Sequence, residues 1–454
     1  MNMVFNCHLN EGDTFQVAGS ELVPLHTKEK YAYTLWTRRK SHLNMIPHFF
    51  MSEAIDLFYI SLMVFYADRK VLRRTQPDAW TRSITIYMPV LCLDKWNANK
   101  QLLESMLDFL TGDHWHFLFR ERILNKYEKQ RREVIQKSKK KLSATEFCML
   151  SGGLDSFIGA TDLLASGHCP IFVGNYNGGK GVSVYQKKVI DLLSVHFAYD
   201  KNRFYQFYAA PKSGKEDTTR SRSLMFFAHA ILLASGMGNP ISLFVPENGV
   251  ISLNIPLTVH RSGSLSTRTT HPHFMEMLRL LLSNMGLPIS IINPYQFKTK
   301  GEMIRDCFAP QFLKDNVKWT MSCSHPDLGR YSGDPEPSHC GCCLPCTIRR
   351  AAIKFVGIKD ESKYRDSVYK DPEHAINLKS YRLGLKSYIE HPMHPLMAIQ
   401  QSGPITKRHE DYADLYKRGM EDLKNFIESL YWSIYMIPTF IWIYRKNVRR
   451  PSVR

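Results

Sequence analysis

The chain has 454 residues, of which 44% are hydrophobic, 22% charged and 12% aromatic. At about 150 residues per domain this allows two to four domains, and it excludes collagen-like, low-complexity and wholly disordered classes. Lys and Arg number 60 against 42 Asp and Glu, a formal net charge of +18, so an anionic partner is expected; charge does not choose among ATP, nucleic acid and an acidic protein.

The opening residues Met1 to Cys7 lack the basic stretch and long apolar run of an export signal, so the expected compartment is the cytosol, with the ten cysteines reduced. Residues 1–142 read as an α+β domain. Runs 60–66, 83–90 and 116–119 are short and rich in β-branched and aromatic residues, whereas 97–110 has helical spacing. Residues 120–142 turn polar and basic and read as a solvated connecting helix, contact with nucleic acid or an acidic partner being the alternative.

From residue 143 the pattern alternates: strand 146–150, helix 157–166, strand 170–175, helix 184–196, with later strands at 241–245 and 288–292. That alternation predicts an α/β domain, 143–362, built on a doubly wound, mostly parallel sheet. Helix 222–235 is apolar on nearly every face and should be buried, with His229 a core histidine. Residues 363–454 read as a helical extension. Its stretch 430–444 is almost wholly apolar, but fifteen helical residues reach about 22 Å against a hydrocarbon core of about 30 Å, and Pro438 should interrupt the helix. A terminal segment packed on the body is expected, with contact to a partner or a membrane surface as the alternative, and no transmembrane span.

The first chemistry-bearing motif follows the 146–150 strand directly: Ser151-Gly152-Gly153-Leu154-Asp155-Ser156, then an apolar-faced helix. Gly152 and Gly153 permit a tight turn that brings backbone N–H groups to an anion, and the helix N-terminus adds positive potential. The two serines can donate hydroxyl hydrogen bonds. No G-x-x-x-x-G-K-[ST] pattern is present, so this is not a Walker loop. After the next strand, residues 175–181 (NYNGGKG) offer Lys180 to a phosphate, a plain turn being the alternative.

Five of the ten cysteines lie within 323–346. Cys340, Cys343 and Cys346 form C-x2-C-x2-C, with Cys323 seventeen positions earlier, and four thiolates can close a tetrahedron on Zn²⁺ at about 2.3 Å, a closed site of the structural kind. His325, His339 or Cys342 could replace one ligand, and a reduced, metal-free patch is the bland alternative.

The 151–156 segment resembles the SGGxDS loop of the PP-loop ATP pyrophosphatases, which split ATP between its α- and β-phosphates. The resemblance implies a HUP-like nucleotide fold in which Ser151, Gly152, Gly153, Leu154 and Ser156, with Lys180, bind ATP, and Asp155 lies near Mg²⁺ or orients the loop. Asp155 and Ser156 would be catalytic, as would Arg222, because Arg222 to Phe226 resembles the family's Arg-Asn-x-x-Phe segment. Asp155→Ala or Ser156→Ala is then expected to leave thermal stability nearly unchanged, as for exposed loop residues.

Loop and cysteines in this order, followed by Arg349 and Arg350, resemble 7-cyano-7-deazaguanine synthases (QueC) over about residues 145–355. Two departures stand out. The first gap of the cysteine motif is lengthened by 327–338, and the family's Tyr-Pro-Asp-Cys-Arg segment is absent, the comparable region being 266–274 (STRTTHPHF). With Glu247-Asn248-Gly249 and the added N-terminal region, these features resemble the longer QueC-like proteins of bacterial anti-phage operons. The resemblance implies ATP, Mg²⁺ and Zn²⁺, and adenylation of a 7-carboxy-7-deazaguanine-type carboxylate. Ammonia or an amine of a partner protein from the same operon would capture it, and Glu247, Asn248, Arg268, His271 and His273 would bind the substrate. The rivals are a tRNA-modifying PP-loop enzyme and a non-catalytic nucleotide-binding subunit of a defence complex.

Overall fold

The computed structural model describes residues 2–35, 42–176, 180–255, 268–334, 336–365 and 372–446, the last stretch from residue 430 by its backbone alone. Its strands are β1 (Asn2–His8), β2 (Glu21–Pro24), β3 (Tyr31–Tyr33), β4 (Ser83–Val90), β5 (His114–Glu121), β6 (Glu146–Met149), β7 (Ile171–Tyr176), β8 (Phe204–Pro211), β9 (Ile241–Phe244) and β10 (Ile289–Ile292). They form two sheets. The first has the order β2-β1-β4-β5 with every pair parallel, so the N-terminal region is parallel α/β and not the expected α+β.

The second sheet runs β10-β9-β6-β7-β8-β3 and is parallel except at β3, which pairs antiparallel with β8. It is the mostly parallel sheet expected from the alternation after residue 143, with β3 added at its edge from the first 142 residues. Its strand order reverses beside β6: the chain moves outward through β7 and β8, then returns to place β9 on the other flank of β6. Such a reversal opens a crevice outside the carboxyl ends of the strands, and the loops after β6 and β9 meet there.

Residues 60–66 are not a strand. They lie in the helix Ser52–Lys70, every residue of which from Ala54 to Asp68 is buried. A short apolar run fits a buried helix as well as a buried strand, and here the apolar character continues long enough to be helical. This helix packs on the helix Arg222–Ser235, which is buried as expected. One core extends from Phe5 to Ile291, so the first 142 residues and the second sheet share it. His229 sits in that core, its Nδ1–H donating to Met225 O at 2.7 Å.

A buried ionic network ties the same seam. Arg82 bridges Asp68 (2.5 Å) and Asp113 (2.6 Å), and Arg73 also pairs with Asp113 (2.8 Å). Asp68 Oδ2 accepts from the backbone N–H and hydroxyl of Ser221 at 3.2 and 2.6 Å, which fixes the start of the helix that carries Arg222.

The basic stretch contains the helix Lys126–Lys137, closed by an Asn125/Glu128 capping box. The C-terminal region is helical: Pro372–Glu390, Pro395–Ala398 and His409–Lys446. The last helix continues through Pro438, where a break was expected. Leu415 and Tyr412 on it join Leu253, Ile399 and Ile405 in a small core beside the loop after β9. Among the described residues no helix is long and apolar enough to cross a membrane. The side chains of 430–444 lie outside the described residues.

Candidate functional site

The loop after β6 turns at Gly152, whose φ is +83° and whose added Cβ would lie 2.9 Å from Gln186 Cγ. Glycine is required there on both counts. Ser151 Oγ accepts from Gly153 N–H (3.2 Å) and lies 3.0 Å from Ser156 Oγ, which donates to Gly153 O at 3.0 Å. The helix Leu154–Ala165 starts from this turn. Its N-terminus and the loop's backbone N–H groups together suit an anion.

Asp155 and Ser156 are each only 5% exposed, against the expectation of exposed loop residues. The Asp155 carboxylate accepts from the backbone N–H (3.2 Å) and Nδ2 (2.7 Å) of Asn248 and pairs with Lys300 Nζ. Burial alone would raise its pKa. The charge of Lys300, with hydrogen bonds from Glu247, Lys300 and Asn248, outweighs burial and holds the carboxyl below the usual range. For Glu247, burial and then the neighbouring Asp155 act the other way and push the carboxyl well up. The shared buried environment thus favours charge on Asp155 over charge on Glu247.

Asn248 caps the short helix Gly249–Leu253, and Lys300 is the first residue of the helix Lys300–Arg305, set by a Thr299/Glu302 capping box. The loops after β6 and β9 are thus locked by a cation from a third element. Glu247 and Asn248, expected on the substrate side, follow β9 and lie beside Asp155. Lys300 was not foreseen, and neither was Gln186, whose Nε2 bridges Ser151 O (3.1 Å) and Asn175 O (3.0 Å).

Arg268, His271 and His273 gather elsewhere, around Phe109. Arg268 lies 4.5 Å over the Phe109 ring and donates to Phe109 O at 2.8 Å; the rings of His271 and His273 are 5.0 and 4.8 Å from it. Phe109 O and Thr111 O end the helix Lys100–Thr111, and Arg220 and Arg73 donate to Thr111 O at 2.7 and 3.1 Å. Three guanidiniums therefore cap one helix C-terminus, a structural use for Arg268. The link to the Asp155 cluster is indirect: Ser252 Oγ donates to Asn248 O (3.1 Å) and lies 3.0 Å from Thr270 Oγ1. Ser266 and Thr267 lie outside the described residues.

Arg222 begins its helix with the guanidinium 5.3 Å over Phe226, and burial, aided by Arg69, lowers its pKa to about 10. Among the described residues no hydrogen bond joins it to the 151–156 loop. Lys180 starts the helix Lys180–His196, and its side chain lies outside the described residues.

Cys323, Cys340, Cys343 and Cys346 come together with all four sulfurs within 4.8 Å of one another. A Zn²⁺ with Zn–S bonds of about 2.3 Å needs sulfurs about 3.8 Å apart, so a small contraction completes the tetrahedron. Backbone N–H groups of His325, Cys340 and Cys343 each point at a ligand sulfur at 3.3 Å, as suits thiolate charge. His339 lies beside the quartet: its Nε2–H donates to Thr320 O (3.1 Å), and its Nδ1 is 3.9 Å from Cys346 Sγ. Cys342 Sγ lies beside the quartet, 3.6 Å from Cys340 Sγ. The donor set and spacing fit zinc.

The chain is similar to a 7-cyano-7-deazaguanine synthase. That protein, from Rickettsia akari (strain Hartford), is 26% identical over 199 residues, which cover 41% of this chain and 78% of the synthase. No family model matches. The similarity supports a distant relationship to that synthase.

Two core histidines give this fold an acid limit. Burial lowers His229 to about 4, and burial, with Arg268 and His273, lowers His271 to about 3. Both values lie below the unfolded value of about 6.5, so between these limits the unfolded chain binds more protons and stability falls as pH drops. Between pH 7 and pH 5 the two groups together should cost about 4 kcal/mol. Denaturant unfolding at the two pH values measures this, and a His229→Gln, His271→Gln double variant should lose far less on acidification.

Proposed function

We propose that the chain is a QueC-like, ATP-dependent ligase of cytoplasmic anti-phage defence, of the kind represented by QatC of the Qat system. It would adenylate a 7-carboxy-7-deazaguanine-type carboxylate. The observation that carries the reading is the buried Asp155–Asn248–Lys300 lock, which fixes the Ser151–Ser156 loop at the reversal of strand order, where α/β sheets bind nucleotides.

In this reading the loop N–H groups, Ser151 and Ser156 hold the β- and γ-phosphates, and a substrate carboxylate oxygen attacks the α-phosphorus. The bond from the α-phosphorus to the bridging oxygen breaks, and pyrophosphate leaves against the helix N-terminus and the loop N–H groups; a Mg²⁺ brought with the ATP would supply further charge neutralisation. An amine then attacks the acyl carbon of the adenylate, and AMP departs. Asp155 is engaged by Asn248 and Lys300, which favours the orienting role over a direct Mg²⁺ ligand. Glu247, whose Oε1 accepts from Asn248 Nδ2 at 3.2 Å, would contact the substrate beside the loop. Arg268, His271 and His273 pack on Phe109, so in this reading they would support the substrate side only indirectly, through Thr270 and Ser252. Zn²⁺ held by the four cysteines would be structural. The nucleotide unit, 143–362, would be flanked by 1–142 and 363–454 as surfaces for an operon partner.

A sulfur-transferring tRNA enzyme needs a reactive thiol outside the quartet. Cys7, Cys148 and Cys307 are buried and burial raises all three, and burial raises the half-buried Cys92 to about 12; Cys169 is exposed, so Cys169→Ser is the variant that would test this rival. Intact-mass analysis of co-expressed operon partners tests the acceptor: a deazaguanine acyl increment on a partner amine, absent with Asp155→Asn, is expected. Unmodified partners with free nitrile product would make the chain an ordinary 7-cyano-7-deazaguanine synthase.

A further inference from the structure

The segment that leads into the cysteine quartet lies against the 151–156 loop. Met321 N–H donates to Gly152 O at 2.9 Å, and Met321 O would stand 3.4 Å from a Cβ on Gly153. Two residues on, Cys323 enters the quartet. One residue back, Thr320 is held from two sides: His339 Nε2–H donates to its carbonyl at 3.1 Å, and Arg349 donates to its hydroxyl at 2.7 Å. Arg349 is wholly buried and also donates to Val317 O (2.7 Å) and Ser362 Oγ (2.9 Å). His339 is the neighbour of Cys340, and Arg349 lies one helical turn beyond Cys346 on the helix Leu344–Phe355.

The lengthened gap of the motif reaches the second loop. Asp327 Oδ1 accepts from Gly181 N–H at 2.7 Å, and Tyr185 donates to Pro337 O at 3.3 Å. Gly181 is fitted under Pro326, whose Cγ would lie 2.7 Å from an added Cβ. The cysteine segment thus touches both the turn after β6 and the start of the helix that follows β7.

We infer that the cysteine segment is a positioning element for nucleotide binding: it clamps the 151–156 loop through Met321 and the start of helix Lys180–His196 through Asp327, so metal occupancy and ATP binding are coupled. The inference rests on the proposed reading that this loop binds ATP. Physically, four thiolates close together need a cation. Without one the quartet shares protons or separates, and the segment between Thr320 and Cys323 loses the anchor that sets Met321 against Gly152. Coupling of this kind is reciprocal: if bound metal tightens ATP, bound ATP must retain the metal by the same factor.

The test uses the full chain. Met321→Pro deletes the donated N–H, and Thr320 already has the extended backbone, φ −107° and ψ 146°, that a following proline requires. Met321→Ala keeps the N–H and serves as control. Expected for Met321→Pro is about a tenfold or larger rise in the Kd for Mg·ATP with zinc content unchanged, and near wild-type affinity for Met321→Ala. In wild type, saturating Mg·ATP should slow zinc release to a metallochromic chelator at least about fivefold, an effect absent in Met321→Pro. Should Met321→Pro be insoluble, Asp327→Ala takes its place with the same expected directions. Wild-type ATP affinity in both Met321→Pro and Asp327→Ala, or zinc release indifferent to ATP in protein that binds it, overturns the coupling alone. Wild-type, zinc-loaded protein that fails to bind Mg·ATP overturns the proposed function as well.

Discussion

Asp155→Ala is expected to abolish AMP formation and to destabilise the fold by about 3–5 kcal/mol, because it leaves Lys300 buried without its partner. This differs from what a loop residue would do. Asp155 is enclosed, and its oxygens hold Asn248 and Lys300 in place, so the substitution removes the lock between the loops after β6 and β9 together with a buried charge pair. Asp155→Asn, with similar volume, should spare more stability and still lose activity. Combining Asp155→Asn with Lys300→Met should recover stability without recovering AMP formation, since the stranded cation is then gone. Calorimetry beside an AMP assay separates these effects. Unchanged melting in Asp155→Ala would contradict the buried pair.

Cys343→Ser is expected to be as severe for the fold as Asp155→Ala is for activity. Structural zinc contributes on the order of 10 kcal/mol of folding free energy in small zinc domains, and here three remaining cysteines would have to hold the metal. The variant should carry little zinc by elemental analysis and should lose solubility, with proteolysis opening near residues 320–346. Cys342→Ser, which removes the thiol outside the quartet, should retain zinc. A soluble, cooperatively folding Cys343→Ser with no metal would contradict a structural role.

The parts of the site that were legible in the sequence are those written locally. The order of strand, Ser-Gly-Gly turn and helix announced the loop after β6, and the cysteine spacing announced the quartet, because in both the chemistry and the chain order coincide. Lys300 was hidden by distance: it stands 145 residues from Asp155, and its only local trace is the Thr299/Glu302 capping box, which marks a helix start but no partner. Gln186 was hidden for a similar reason, on a helix whose polar residues look like a solvated face. The misread of residues 60–66 has another cause. A helix buried between two sheets is apolar on all sides, so it has no 3.6-residue periodicity to read, and only the length of its apolar run distinguishes it from a strand. The pairing of β3 with β8 and the core common to the first 142 residues and the second sheet are tertiary facts with no local signature.

The most direct measurement incubates zinc-loaded protein with α-labelled ATP, Mg²⁺ and 7-carboxy-7-deazaguanine, with and without operon partners, and follows the labelled product. The account predicts AMP in a carboxylate-dependent manner, lost in Asp155→Asn. Labelled ADP with no AMP would contradict attack at the α-phosphorus and with it the central claim.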